Sequence, residues 1–180
     1  MKFPRSKHFV SKGFTLSEVL VSVTVCVIFG LAAFTTNERL LLALKTQKET
    51  TAASMMLQER MEAFRSFSYS NVADPTYVST NVVQKATTSE APLQNLSEQI
   101  TVSGYITNSG GAGYPSDGST PNEWIRDSAH PTGNQITSNA NLATNYNLLQ
   151  VDVLITWTSA NGRTRTRDLA AVFGKGNVGP

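Results

Sequence analysis

The stretch KGFTLSEVLVSV, residues 12–23, sets a single carboxylate, Glu18, at the head of a long apolar run. From Phe14 to Phe34 there are 21 residues, and Glu18 is the only charged one. At ~1.5 Å per residue, a helix of that length crosses a hydrocarbon core of ~30 Å. A carboxylate is unfavourable there and persists where it has a partner or a task. The flank before the run holds Lys2, Arg5, Lys7 and Lys12 with no acid, whereas Arg39, Lys45 and Lys48 beyond it are mixed with Glu38 and Glu49. This asymmetry predicts a cytoplasmic amino terminus and a carboxy-terminal bulk on the far side of the membrane.

Three readings compete for these first residues. An ordinary secretory signal peptide fits the basic flank, the apolar core Val19–Phe29 and the small-x-small site Gly30-Leu31-Ala32. It gives Glu18 no role and discards a helix-forming run that continues past the site. A plain signal anchor keeps the run but leaves Glu18 unpaired and Gly13 unexplained. The third reading takes the whole string at once. KGFTLSEVLVSVTV resembles the class III signal of type IV prepilins: a short basic leader ending in glycine, then phenylalanine, then glutamate at the fifth mature residue, then an apolar run.

The resemblance implies cleavage between Gly13 and Phe14 by a prepilin peptidase on the cytoplasmic side, with methylation of the new amino group of Phe14. The apolar helix is then retained. It also implies the partners: the peptidase/methylase, other pilin or pseudopilin subunits, an inner-membrane assembly platform, and membrane lipid before assembly. The destination would be the inner membrane, crossed once with the carboxy-terminal domain in the periplasm, and then a pilus or pseudopilus. Cleavage would create an ammonium at Phe14, four residues before Glu18 on the same helix face. Pairing with its own terminus or a neighbour's would compensate the carboxylate and fix axial register between subunits. FTLSEVLVS and the later MMLQERMEAFRS are more similar to minor pilins of the V type and pseudopilins of the I type than to major pilins.

The likeness is close over residues 8–35 and loose to residue 68. No cysteine pair lies near the carboxy terminus, and no proline interrupts the apolar run, so Gly30 is the one candidate for a local break. The rival within the same machinery is a type II secretion pseudopilin. The rival from another class is a secreted binding domain with a conventional signal peptide.

The expected organisation is a leader (1–13), an apolar assembly helix (14–35), an amphipathic helix (36–68) and a β-sheet domain (69–180). The fold class is α+β, a long amino-terminal helix packed on a small antiparallel sheet. No Gly or Pro occurs from Asn37 to Phe67, and the segment is rich in good helix formers. Ala53, Leu57, Met61 and Phe64 form one apolar stripe, with Met55 and Met56 thickening it. TYVSTNVVQK (76–85) and SEQITVSGYIT (97–107) read as strands, and residues 108–124 as a flexible Gly-rich loop. LLQVDVLITWT (148–158) alternates with period two. Asn161-Gly162 predicts a two-residue hairpin turn into a return strand carrying Arg163, Arg165 and Arg167. Those arginines suit a charged edge that discourages aggregation; a subunit contact or an anionic polymer is the alternative.

Little here points to catalysis. His8 and His130 have no second ligand at metal-like spacing, and Cys26 is alone in the apolar run. Asp117 and Glu123 fit no standard calcium loop. No phosphate-binding G-x-x-x-x-G-K-[ST] loop exists. The expectation is therefore a non-enzymatic subunit with no cofactor and no metal. The net charge of +2 becomes 2 − 4 = −2 without the leader. The sequence pI of about 8.8 is thus poor support for nucleic-acid binding, and none is expected.

Overall fold

A computed structural model describes residues 13, 15–107, 113–115, 121–137 and 141–176. Residues 1–12 of the leader and Phe14 lie outside the described residues, as do 108–112 and 116–120 of the Gly-rich loop. The chain divides into two compact units, Met1–Ala43 and Leu44–Pro180. Helix α1 (Leu16–Arg65) begins in the first and ends in the second. Its hydrogen bonding passes through Gly30 without a break.

In the first unit every described residue of α1 is exposed, including Leu20, Phe29 and Leu31 at 65%, 71% and 63%. The helix is long and apolar enough to cross a membrane. So continuous an exposed apolar surface is rare on soluble monomers.

In the second unit α1 packs on an antiparallel sheet, the α+β arrangement expected. Strands β1 (Gln94–Thr107), β3 (Asn122–Arg126), β4 (Asn134–Thr137), β5 (Leu148–Thr158) and β6 (Thr164–Gly174) run in the order β4-β3-β1-β5-β6. The short β2 (Gly113–Pro115) pairs with the distal end of β1. Period-two alternation aims Leu149, Val151, Val153, Ile155 and Trp157 of β5 at the helix, and all are buried. Ile100 and Val102 of β1 and Trp124 of β3 share that face by register. Opposite them, Ala53, Met56, Leu57, Met61 and Phe64 complete the core. Each large side chain buried there contributes roughly 1.5–3 kcal/mol.

Four expectations need correction. Met55 is 54% exposed and stands outside the stripe, while Met56 is fully buried; the 3.6-residue period carries Met55 past the buried arc. Residues 76–85 are helical, not a strand. They form α3 (Pro75–Val78) and a π-helical turn, Ser79–Val83, after the short α2 (Tyr69–Ala73). Pro75 sits in the first turn and the Asp74 carboxylate accepts from the Thr76 N–H (2.9 Å). That cap overrides the β propensity of three valines. The end of the supposed loop is strand β3, where Trp124 is 1% exposed.

The β5–β6 turn has three residues, not two. The Ser159 N–H donates to Arg163 O (2.9 Å) and the Gly162 N–H to Ser159 O (2.7 Å). Gly162 takes φ +77°, the left-handed position such a three-residue loop requires.

Candidate functional site

The amino-terminal end of α1 carries the residues that the sequence marks out. Thr15 precedes the helix and Glu18 is its third residue. The Thr15 N–H and Thr15 Oγ1–H both donate to Glu18 Oε2, at 2.9 Å each, while the Glu18 N–H approaches Thr15 Oγ1 at 3.4 Å. This reciprocal pattern is a capping box, T-x-x-E. It satisfies amide groups that a helix start otherwise leaves open. Its negative charge also lies where the helix dipole favours one. Among the described residues Glu18 Oε1 accepts no hydrogen bond. Gly13 is exposed and outside the helix. Phe14, the expected methylation position, is not described, so the Gly13–Phe14 site is located only to its glycine side.

Sequence reasoning about Glu18 concentrated on the new amino terminus and overlooked Thr15, although T-x-x-E before an apolar run is a readable cap signature. Two polar side chains further along the run turn back on their own helix. Ser22 Oγ donates to Glu18 O (2.7 Å) and Thr24 Oγ1 to Leu20 O (2.8 Å). Such bonds satisfy hydroxyls where no water is present. Cys26 is exposed on the same segment and unbridged.

Beneath α1 in the second unit lies an ionic cluster that the sequence reading missed. Arg60 Nε and Nη2 donate to Glu98 Oε1 (2.5 Å) and Oε2 (2.8 Å), and Arg60 Nη1 donates to Val82 O (2.6 Å). Arg126 Nε also donates to Glu98 Oε2 (3.0 Å), and its Nη2 bonds Glu90. Glu98 is 1% exposed. Burial alone would raise the Glu90 pKa, but hydrogen bonds from Arg126 and Thr87 and the Arg126 charge outweigh it, holding the carboxyl below its usual value. Burial likewise opposes the Arg126 charge, and both glutamates more than restore it, raising its pKa.

Paired carboxylates can signal acid–base chemistry, but both of these are committed to guanidinium groups. The cluster joins α1, β1, β3 and the segment around Glu90. Its sequence signal was there: Arg60 falls in phase with Met56 and Phe64, and Glu98 in phase with Ile100 and Val102.

The remaining candidates are dispersed. Among the described residues the His130 ring pairs with Asp127 alone, whose Oδ1 also accepts the His130 and Ala129 N–H groups, a turn device on the surface. Those amide bonds, chiefly that of His130, hold the Asp127 pKa down. Glu123 points to the sheet's outer side, where Gln99 donates to it; Asp117 lies outside the described residues. Among the described residues no three His, Cys, Asp or Glu side chains are grouped to hold a metal. By register Arg165 and Arg167 stand on the helix-facing side of β6, opposite Trp157 and Ile155, while Arg163 belongs to the turn. No family model matches this chain, and neither a curated protein nor a solved structure matches it.

Proposed function

We propose that the chain is a prepilin-like structural subunit. In this reading it is cut between Gly13 and Phe14 by a prepilin peptidase, methylated at Phe14, and held in the inner membrane by one span. It then joins a type IV pilus or pseudopilus as a minor component. The observation that carries the proposal is the continuity of α1 from its capped start at Leu16 through the exposed apolar run. Cleavage after Gly13 keeps Thr15, Glu18 and the whole helix. Cleavage at Gly30-Leu31-Ala32 would remove the cap and split an unbroken helix.

The mechanism is assembly rather than turnover. Lipid tails are as apolar as leucine, so helices leaving the bilayer for a bundle gain little from hydrophobicity alone. The uncompensated charge supplies direction. Thr15 engages one oxygen of Glu18, and the other, which accepts no bond among the described residues, can take an ammonium. When that ammonium is the Phe14 terminus of an adjacent subunit, the pair fixes axial register. Energy input comes from the assembly platform.

Glu18→Ala is the test: processing should persist while incorporation into filaments drops, read by immunoblot of sheared fibres or, for a secretion pseudopilus, by the secreted fraction. Wild-type incorporation of Glu18→Ala would remove the pairing argument.

A further inference from the structure

One end of the second unit gathers cations that no ion pair among the described residues neutralises. The buried Glu49 of α1 accepts from Ser159 Oγ (2.6 Å) and the Ala160 N–H (3.0 Å), and Thr46 Oγ1 lies 3.4 Å from Ser159 Oγ. These bonds fasten the β5–β6 turn to the first turns of α1 within this unit. They bring Arg163, Arg165 and Arg167 to the end of the unit that carries Lys45 and Lys48.

Among the described residues none of these five takes part in an ion pair. Arg165 Nε is buried without an acceptor. Of the acids near this end, Glu49 is engaged with the turn and Glu90 with Arg126, while Asp168 stands on the opposite face of β6 from Arg165 and Arg167. Without the leader the chain has 15 − 4 = 11 Lys and Arg residues, so nearly half of them sit unpaired at one end. Protection of an open sheet edge explains charges on β6. It does not explain Lys45 and Lys48, which are on the helix.

We propose that this end docks on anionic phospholipid headgroups, holding the sheet unit against the membrane surface before assembly. The proposal rests on the reading of the apolar run as a membrane anchor. Lys45 follows Phe34 by eleven residues. Even fully extended, those residues reach no more than about 40 Å, so the surface is always within a short tether of the patch. Clustered Lys and Arg beside a span attract anionic lipid over about one Debye length. The contact is therefore salt-sensitive, and it competes with any acidic protein surface.

The test uses the full mature chain in lipid nanodiscs of phosphatidylcholine, alone or with about one third phosphatidylglycerol. A fluorophore at Asn161→Cys, in a Cys26→Ser background, is read by quenching from a headgroup spin label. The expected result is at least about fivefold stronger quenching in the anionic discs. It should fall to the neutral-disc level at about 0.5 M salt. It should fall equally in Lys45→Gln/Lys48→Gln/Arg163→Gln/Arg167→Gln, four exposed positions whose folding is checked by tryptophan emission. Equal quenching in neutral and anionic discs would overturn the proposal. So would quenching that follows the number of chains per disc rather than lipid charge, which would identify a contact between copies. A chain that fails to enter the discs would overturn the anchor reading itself, and the proposal with it.

Discussion

Replacing Glu98 by glutamine should be among the most damaging single changes in the sheet unit. Glu98 is 1% exposed and takes two bonds from Arg60 and one from Arg126, whose side chains are 4% and 8% exposed. The substitution keeps shape and one acceptor oxygen but removes the charge. Arg60 and Arg126 then share that one neutral oxygen, and the other acceptor of Arg60 is Val82 O. Arg126 keeps the half-buried Glu90 as its one carboxylate among the described residues.

Removing one partner of a buried pair costs about 3–5 kcal/mol, because the charge left behind is uncompensated. For a unit of 180 − 43 = 137 residues, that is a fall in Tm of about 12–20 °C. Both tryptophans, Trp124 and Trp157, are buried in this unit's core. Their emission during urea unfolding in detergent therefore reports the sheet unit and not the span. Arg60→Met with Glu98→Gln should be less destabilised than the sum of the singles, by about 1–3 kcal/mol. A Glu98→Gln loss below about 1 kcal/mol, or strict additivity in the double variant, would refute the reasoning.

Two further outcomes follow from burial and charge. Met56→Ala should cost about 2–5 kcal/mol and Met55→Ala within about 0.5 kcal/mol, in the same unfolding assay; similar losses would contradict the placement of α1 on the sheet. The native Glu90 pKa lies below its reference of 4.5. Its contribution is therefore complete above the unfolded value and is lost as pH falls through the depressed native one. Glu90→Gln should lower stability at neutral pH and flatten the acid limb of the urea midpoint against pH; unchanged slopes would contradict the Arg126 tie.

Much of the fold was legible because periodicity reports burial directly. The β5 alternation and the stripe Ala53, Leu57, Met61, Phe64 each named a core face, and both are buried as read. The misreadings arose where a local device outweighed propensity. Asp74 and Pro75 start a helix in a valine-rich stretch, and Gly162 in the left-handed region adds a residue to a turn that Asn161-Gly162 alone would make tighter. Strand β3 escaped notice because its five residues alternate Asn122, Trp124 and Arg126 toward the core, two of them polar. The polar core positions depend on tertiary pairing: Arg60 and Glu98 are 38 residues apart, and only the sheet on the helix brings them together. At the amino-terminal site the Glu18 signal was plain, but the Thr15 cap that holds one oxygen of that carboxylate was not read.

The central claim is that proteolysis uncovers Phe14 and keeps the apolar helix. Intact-mass measurement of the protein from its native membranes tests it most directly. The account predicts a chain beginning at Phe14 and heavier by one methyl group. A chain beginning near Ala33 would contradict it.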